Sequence, residues 1–101
     1  MDLGTGDGAA VLRLARQDPR ALVLGVDTNA SALMRASRDA APAIKKGGAP
    51  NAVFLVGEAV ATLALLAGRV DQLTITLPWG SLLRHVLRGE REFALAVAGA
   101  L

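Results

Sequence analysis

The 101-residue chain has no cysteine and no tyrosine, and only one tryptophan, one histidine and two phenylalanines. Without cysteine there is no disulfide framework and no thiolate metal site. A lone histidine, His85, excludes a multi-histidine centre, so no metal is expected. Every apolar run is broken by Gly, Arg or Asp well short of the about 18 residues that a membrane span requires, so no membrane partner is expected. No basic N-terminal region leads into an apolar run, and the expected compartment is the cytoplasm. Charge of one sign is also scarce: eleven Lys and Arg against nine Asp and Glu give +2. That balance permits a polyanionic partner without demanding one.

What is present is aliphatic. Hydrophobic residues make up 52% and charged residues 20%, which suits a folded α/β domain. With Phe54, Trp79 and Phe93 as the only aromatics, the core must be built from Ala, Leu and Val. The length allows one modest core, and residues 1–101 are read as a single domain.

Periodicity then orders the chain. Residues 9–17 read as an amphipathic helix with Val11, Leu12, Leu14 and Ala15 on one face, ended by Asp18-Pro19. Residues 21–27 are a short, branched apolar run, the mark of a buried parallel strand. Residues 28–41 read as a helix capped by Thr28 or Asn29. Pro, Gly and Asn make 42–51 a loop. Residues 52–57 are a second buried strand, and 58–68 a short helix, or helix plus loop, closed by Gly68. In 70–78, Leu73, Ile75 and Leu77 alternate with Thr74 and Thr76, which predicts a strand. Residues 79–87 and 90–101 read as helices on either side of Gly89. Strands alternating with helices predict an α/β fold, a parallel sheet with right-handed crossovers.

The most informative stretch is the first, "MDLGTGDG". Gly4, Gly6 and Gly8 allow sharp turns and close approach of a ligand, and the helix that follows points its free N–H groups at the loop. The spacing is G-x-G-x-G with an acid two residues before the first glycine. The dinucleotide fingerprint is G-x-G-x-x-G, which speaks against a nucleotide-linked oxidoreductase. An acid at Asp2 or Asp7 suits a cofactor with an ammonium end better than a pyrophosphate. A glycine triplet alone is equally satisfied by an ordinary strand-to-helix turn. Asp27 adds weight, because a carboxylate ending the next strand can accept both hydroxyl protons of a ribose. Its plainer role is a helix cap. In "LTITLPWGSLL", Pro78 stops the strand and Trp79 falls at its C-terminal edge, where a base can stack on it. The plainer role of a lone Trp is packing under the next helix.

Taken together, "DLGTGDG", "GVDTNA", "KKGGAPNAVFLV" and "LPWGSLL" resemble the aminoglycoside-resistance 16S rRNA methyltransferases that modify N1 of the decoding-site adenine. The resemblance covers nearly the whole chain. The glycine loop is common to class I S-adenosylmethionine-dependent methyltransferases, whereas the P-W-G-[ST]-L-L and G-G-x-x-N stretches are more specific. The resemblance implies a Rossmann-like fold, S-adenosylmethionine as cofactor, and 16S rRNA in the 30S subunit as partner. It implies that Asp2, Gly4, Gly6 and Gly8 shape the methionine pocket and that Asp27 holds the ribose. Trp79 would be one of two tryptophans sandwiching the flipped adenine, and Ser81 would lie near the cofactor. Arg35, Arg38, Lys45 and Lys46 fall where the family contacts rRNA, although a solvated helix face and loop account for them equally well.

The sequence also departs from the family pattern. The family's cofactor-contacting Glu aligns with Val60, and Glu58, two residues earlier, is the candidate substitute. Relative to the family, the first strand is reduced to residues 1–3 and the last three strands have no counterpart. The chain therefore reads as a fragment of the methyltransferase domain, with Asp2 and the glycine loop expected to lack support. Two other readings stay open at this point: a non-catalytic cofactor-binding remnant or interaction module, and a small-molecule methyltransferase.

Overall fold

The computed structural model describes residues 1–75 and 91–101. The readings that rest on 76–90, including Trp79, Ser81, His85 and the helix at 79–87, lie outside the described residues.

Among the described residues the chain forms β1 (Asp2–Leu3), α1 (Ala9–Gln17), β2 (Val23–Asp27), α2 (Ala30–Ala40), a 3₁₀ turn (Ile44–Lys46), β3 (Ala52–Val56), α3 (Ala59–Leu65), β4 (Thr74–Ile75) and α4 (Arg91–Ala100). The four strands make one sheet in the order β3-β2-β1-β4, and every pairing is parallel. This is the α/β architecture expected from the alternation of strand and helix patterns. Parallel strands need crossover connections, and α1, α2 and α3 each lie in one, between β1 and β2, β2 and β3, and β3 and β4.

The two faces carry separate cores. On one, Val11, Leu12 and Ala15 of α1 pack with Val23, Ala40, Ala49 and Ala52, and Phe54 closes the cluster. On the other, Leu3 and Val26 pack with Ala59 and Leu63 of α3 and with Phe93 and Ala100 of α4. Ala appears wherever helices approach the sheet closely, which is how a chain with so few aromatics fills its interior. Leu14, assigned to the inner face of α1, is 43% exposed. It stands about 60° round the helix from Val11, at the rim of the apolar stripe.

Boundaries differ from the sequence reading for local reasons. Asn29 caps α2, its Oδ1 accepting the Ala32 N–H at 3.1 Å, which decides between Thr28 and Asn29. Helix α3 starts after Glu58 and is seven residues long. Within the loop, Ala43 to Gly47 tighten into the 3₁₀ turn.

The sheet also corrects one expectation. Short as it is, β1 lies between two partners: Asp2 pairs with Gly25 and Thr74, and Leu3 with Val26 and Ile75. Leu3 is fully buried and Asp2 is 2% exposed. Asp2 Oδ1 accepts the Thr74 hydroxyl at 3.0 Å. The Met1 amine donates to the Gln72 carbonyl at 2.9 Å, with its pKa lowered by partial burial and raised in part by Asp2. The start of the glycine loop is therefore held from both sides.

Candidate functional site

Open parallel sheets bind ligands beyond the C-terminal ends of their strands. In this chain that edge gathers the loop after β1, the last residue of β2 and the start of α3. The loop curls over the end of β2. The Gly4 and Thr5 N–H groups both donate to the Val26 carbonyl, at 2.8 and 3.1 Å. Gly4, Gly6 and Gly8 have φ of 69°, 60° and 77°, a region that costs an L-residue free energy. That is why glycine recurs at every second position.

Asp27 latches this loop. Its Oδ2 accepts the Gly6 N–H at 2.9 Å, and its Oδ1 accepts the Asn29 N–H at 2.9 Å. One carboxylate thus joins the glycine loop to the start of α2. Each carboxylate oxygen has a second lone pair, so the group keeps acceptor capacity for hydroxyl donors. The Asp27 carbonyl also accepts the Gly57 N–H at 3.0 Å, which brings the β3–α3 junction to the same edge.

Among the described residues, a side chain added at Gly6 would meet nothing within 4 Å. The loop therefore presents bare backbone to open space at that point, the condition for close approach of a ligand. Beside it, Thr5 is buried and its Oγ1 has no hydrogen-bond partner among the described residues. A buried hydroxyl without a partner is uncommon in a folded protein and points to a missing polar group nearby. The sequence reading passed over Thr5, although it lies inside the quoted motif; its burial was not legible from the string. Asp7 is exposed, and its Oδ1 accepts the Ala9 N–H at 3.0 Å, serving the start of α1.

Glu58 is at the same edge but its carboxylate is engaged. Oε1 accepts the Val60 N–H and Oε2 the Ala61 N–H, at 3.1 and 3.0 Å, which makes Glu58 the N-cap of α3.

The basic residues lie away from this edge. Arg35 and Arg38 are exposed one helical turn apart on α2. Lys45 and Lys46 are exposed in the 3₁₀ turn. Arg16 of α1 ties that turn to the helix: its Nε and Nη2 donate to the Gly47 carbonyl at 3.2 and 2.9 Å.

The G-G-x-x-N stretch is a structural closure. Gly48 lies against Pro42 so tightly that a Cβ would overlap the Pro42 carbonyl. The Asn51 Nδ2 donates toward three carbonyls, those of Ala15, Asp18 and Ala21, at 2.8–3.0 Å. It thereby satisfies acceptors left over where α1 ends.

Comparison with known proteins agrees with this geometry. The model of the family described as "NpmA: 16S rRNA (adenine(1408)-N(1))-methyltransferase" matches residues 1–100. The chain is 41% identical over 98 residues to a 16S rRNA (adenine(1408)-N(1))-methyltransferase of Streptoalloteichus tenebrarius, and 34% identical over 98 residues to one of Escherichia coli. Each match covers 97% of this chain and 45% of the relative, so the chain spans somewhat under half the length of these proteins. Among solved structures, a mutant methyltransferase of this kind from Catenulisporales acidiphilia, crystallised with cosubstrate SAM, superposes with a TM-score of 0.89 at 35% identity. That match covers 98% of this chain and 44% of the other. The aminoglycoside resistance methyltransferase NpmB1 superposes with a TM-score of 0.90 at 41% identity, covering 99% and 48%.

Proposed function

The chain belongs to the 16S rRNA (adenine(1408)-N(1))-methyltransferase family, and on that premise we propose that it forms the S-adenosylmethionine-binding part of an enzyme that methylates N1 of adenine 1408 in 16S rRNA. The observation that carries this reading is the coupling of a three-glycine loop to Asp27 at the C-terminal edge of a parallel sheet. The residues there fit the cofactor chemically. Open space at Gly6 allows close approach, the buried Thr5 hydroxyl seeks a partner, and Asp27 keeps acceptor capacity.

In this reading the glycine loop and Asp2 shape the methionine pocket, and Asp27 accepts from the ribose hydroxyls. By the family resemblance, Ser81 would contribute near the cofactor. Glu58 caps α3, and a contact with the cofactor's adenine would come on top of that local role. When bound, the cofactor supplies an electrophilic methyl on a sulfonium. The chain's contribution is alignment, since adenine N1 carries an exposed lone pair and needs no general base. Aligning the reactants is worth up to roughly 7–11 kcal/mol in favourable cases. Trp79 would hold the flipped base by stacking, at about 1–3 kcal/mol per aromatic contact. Lys45, Lys46, Arg35 and Arg38 would contact rRNA phosphates in the 30S subunit, with the salt dependence such contacts carry. A ribosomal substrate would put the chain in the cytoplasm.

Calorimetric titration of the purified chain with S-adenosylhomocysteine tests the first part. Binding that Asp27→Ala abolishes supports the pocket, and no binding by folded chain rejects it. A methylation assay on 30S subunits, read at adenine 1408, tests the second. With under half the length of its relatives, the isolated chain is expected to bind cofactor and transfer methyl poorly. Robust methylation by the 101 residues alone would overturn that expectation.

A further inference from the structure

Gly25 stands in the middle of β2, where glycine weakens a strand and commonly marks a close approach. The register explains what approaches. Phe54, Gly25, Asp2 and Thr74 form one row across β3, β2, β1 and β4. The Phe54 ring lies across the bare backbone of Gly25 and reaches the glycine loop. A Cβ at Gly25 would stand 2.9 Å from Phe54 Cδ1 and 3.0 Å from its Cε1. A Cβ at Gly8 would stand 2.7 Å from the same Cε1, 3.0 Å from Cζ and 2.8 Å from the Ala36 methyl. The methyl of Thr5 also meets the Gly25 position at 3.0 Å. One side of the ring, Cδ1–Cε1–Cζ, therefore meets both the strand at Gly25 and the N-cap of α1 at Gly8.

We infer that Phe54 is a positioning residue for the cofactor loop: its ring, wedged between Gly25 and Gly8, sets the height at which residues 4–8 stand over the sheet edge. The inference rests on the cofactor reading above and adds a residue outside the glycine loop. Two glycines make room for the ring, and the ring then meets the loop at Gly8, whereas Gly6 has no described neighbour within 4 Å. Protein interiors transmit such contacts because they are close-packed, so a change in ring volume moves the loop. No polar group of Phe54 takes part, and its effect on a ligand is wholly steric.

A double-mutant cycle tests this. The four proteins are the parent chain, Gly25→Ala, Phe54→Leu and the double variant. Two quantities are read: affinity for S-adenosylhomocysteine, and hydrogen-exchange protection of the Gly4, Thr5, Gly6 and Gly8 amides against that of core amides in α1 and β2. Each single variant is expected to weaken binding by about tenfold and to lower loop protection while core protection holds. In the double variant the leucine makes room for the new methyl, so the loss should be well short of the product of the two. Independent effects in the double variant, or a Phe54→Leu protein with unchanged loop protection and affinity, would overturn the inference. Should Phe54→Leu fail to fold, Phe54→Met keeps most of the volume without a rigid ring and serves the same cycle. If the parent does not bind, the cofactor reading falls, and loop protection still decides the role of Phe54.

Discussion

Among the described residues, a side chain added at Gly6 would meet nothing, whereas at Gly48 it would overlap the carbonyl of Pro42. The segments around these two glycines look similar as strings: each is rich in glycine, each joins two elements, and each has a charged or amide side chain nearby. In the first, the backbone turns with positive φ and leaves space above it, and Asp27 holds it by a single N–H. In the second, protein atoms fill the space where a side chain would be, and Asn51 gathers three carbonyls at the end of α1. A glycine that faces space is available to a ligand. A glycine that faces its own chain is a packing element.

Substitution should separate the two roles, and the largest expected effect on the fold is at Gly48. Gly48→Ala puts a methyl into backbone that has no rotamer to yield, unlike a flexible side chain. The expected loss is at least about 3 kcal/mol, a large part of the stability of a small domain. Thermal and denaturant melts read it directly. A variant that melts with the parent would mean that the loop repacks freely, and the contrast with Gly6 would collapse. Asn51→Ala comes next. It leaves the Ala15, Asp18 and Ala21 carbonyls without their shared donor, at an expected cost of about 2 kcal/mol, and cofactor affinity should stay near the parent value.

Gly6→Ala should reverse that pattern. No atom of the described residues obstructs the methyl, so the expected stability cost is that of the positive φ, about 1–2 kcal/mol. Affinity for S-adenosylhomocysteine should fall more than about tenfold, because the methyl occupies the approach to the backbone. Equal binding by the parent and by Gly6→Ala would show that the open space at residue 6 is solvent and not a ligand surface.

How much of this was legible follows from what a linear pattern encodes. The alternation of short apolar runs with amphipathic stretches gave the parallel α/β order, since burial on both faces of a strand and on one stripe of a helix imposes those two patterns. The glycine spacing and Asp27 pointed to one sheet edge, and the structure brings them together there. The string did not disclose that two residues suffice for β1, because pairing on both sides is a property of the neighbours and not of Asp2 and Leu3. Nor did it separate Glu58 the helix cap from Glu58 the ligand, since both uses need an acid at the end of a strand. Phe54 looked like one more apolar strand residue, and its reach to Gly8 depends on a register that joins residues 29 positions apart.

The smallest expected effect on the fold returns to the second segment. Lys45 and Lys46 are exposed on a turn whose shape is set by other groups: Gly47 in the left-handed region, Gly48 against Pro42, and Arg16 on the Gly47 carbonyl. Replacing both lysines with alanine should therefore change the melting free energy by less than about 0.5 kcal/mol. If the turn presents them to rRNA, each should neutralise one phosphate. The slope of log affinity for 30S subunits against log salt should then become shallower by about one for each lysine removed, with cofactor affinity untouched. An unchanged slope would make the turn a packing element throughout. A shallower slope would mean that a segment closed to ligands in its backbone serves one through its side chains, and that glycine content and ligand contact are separate properties of a loop.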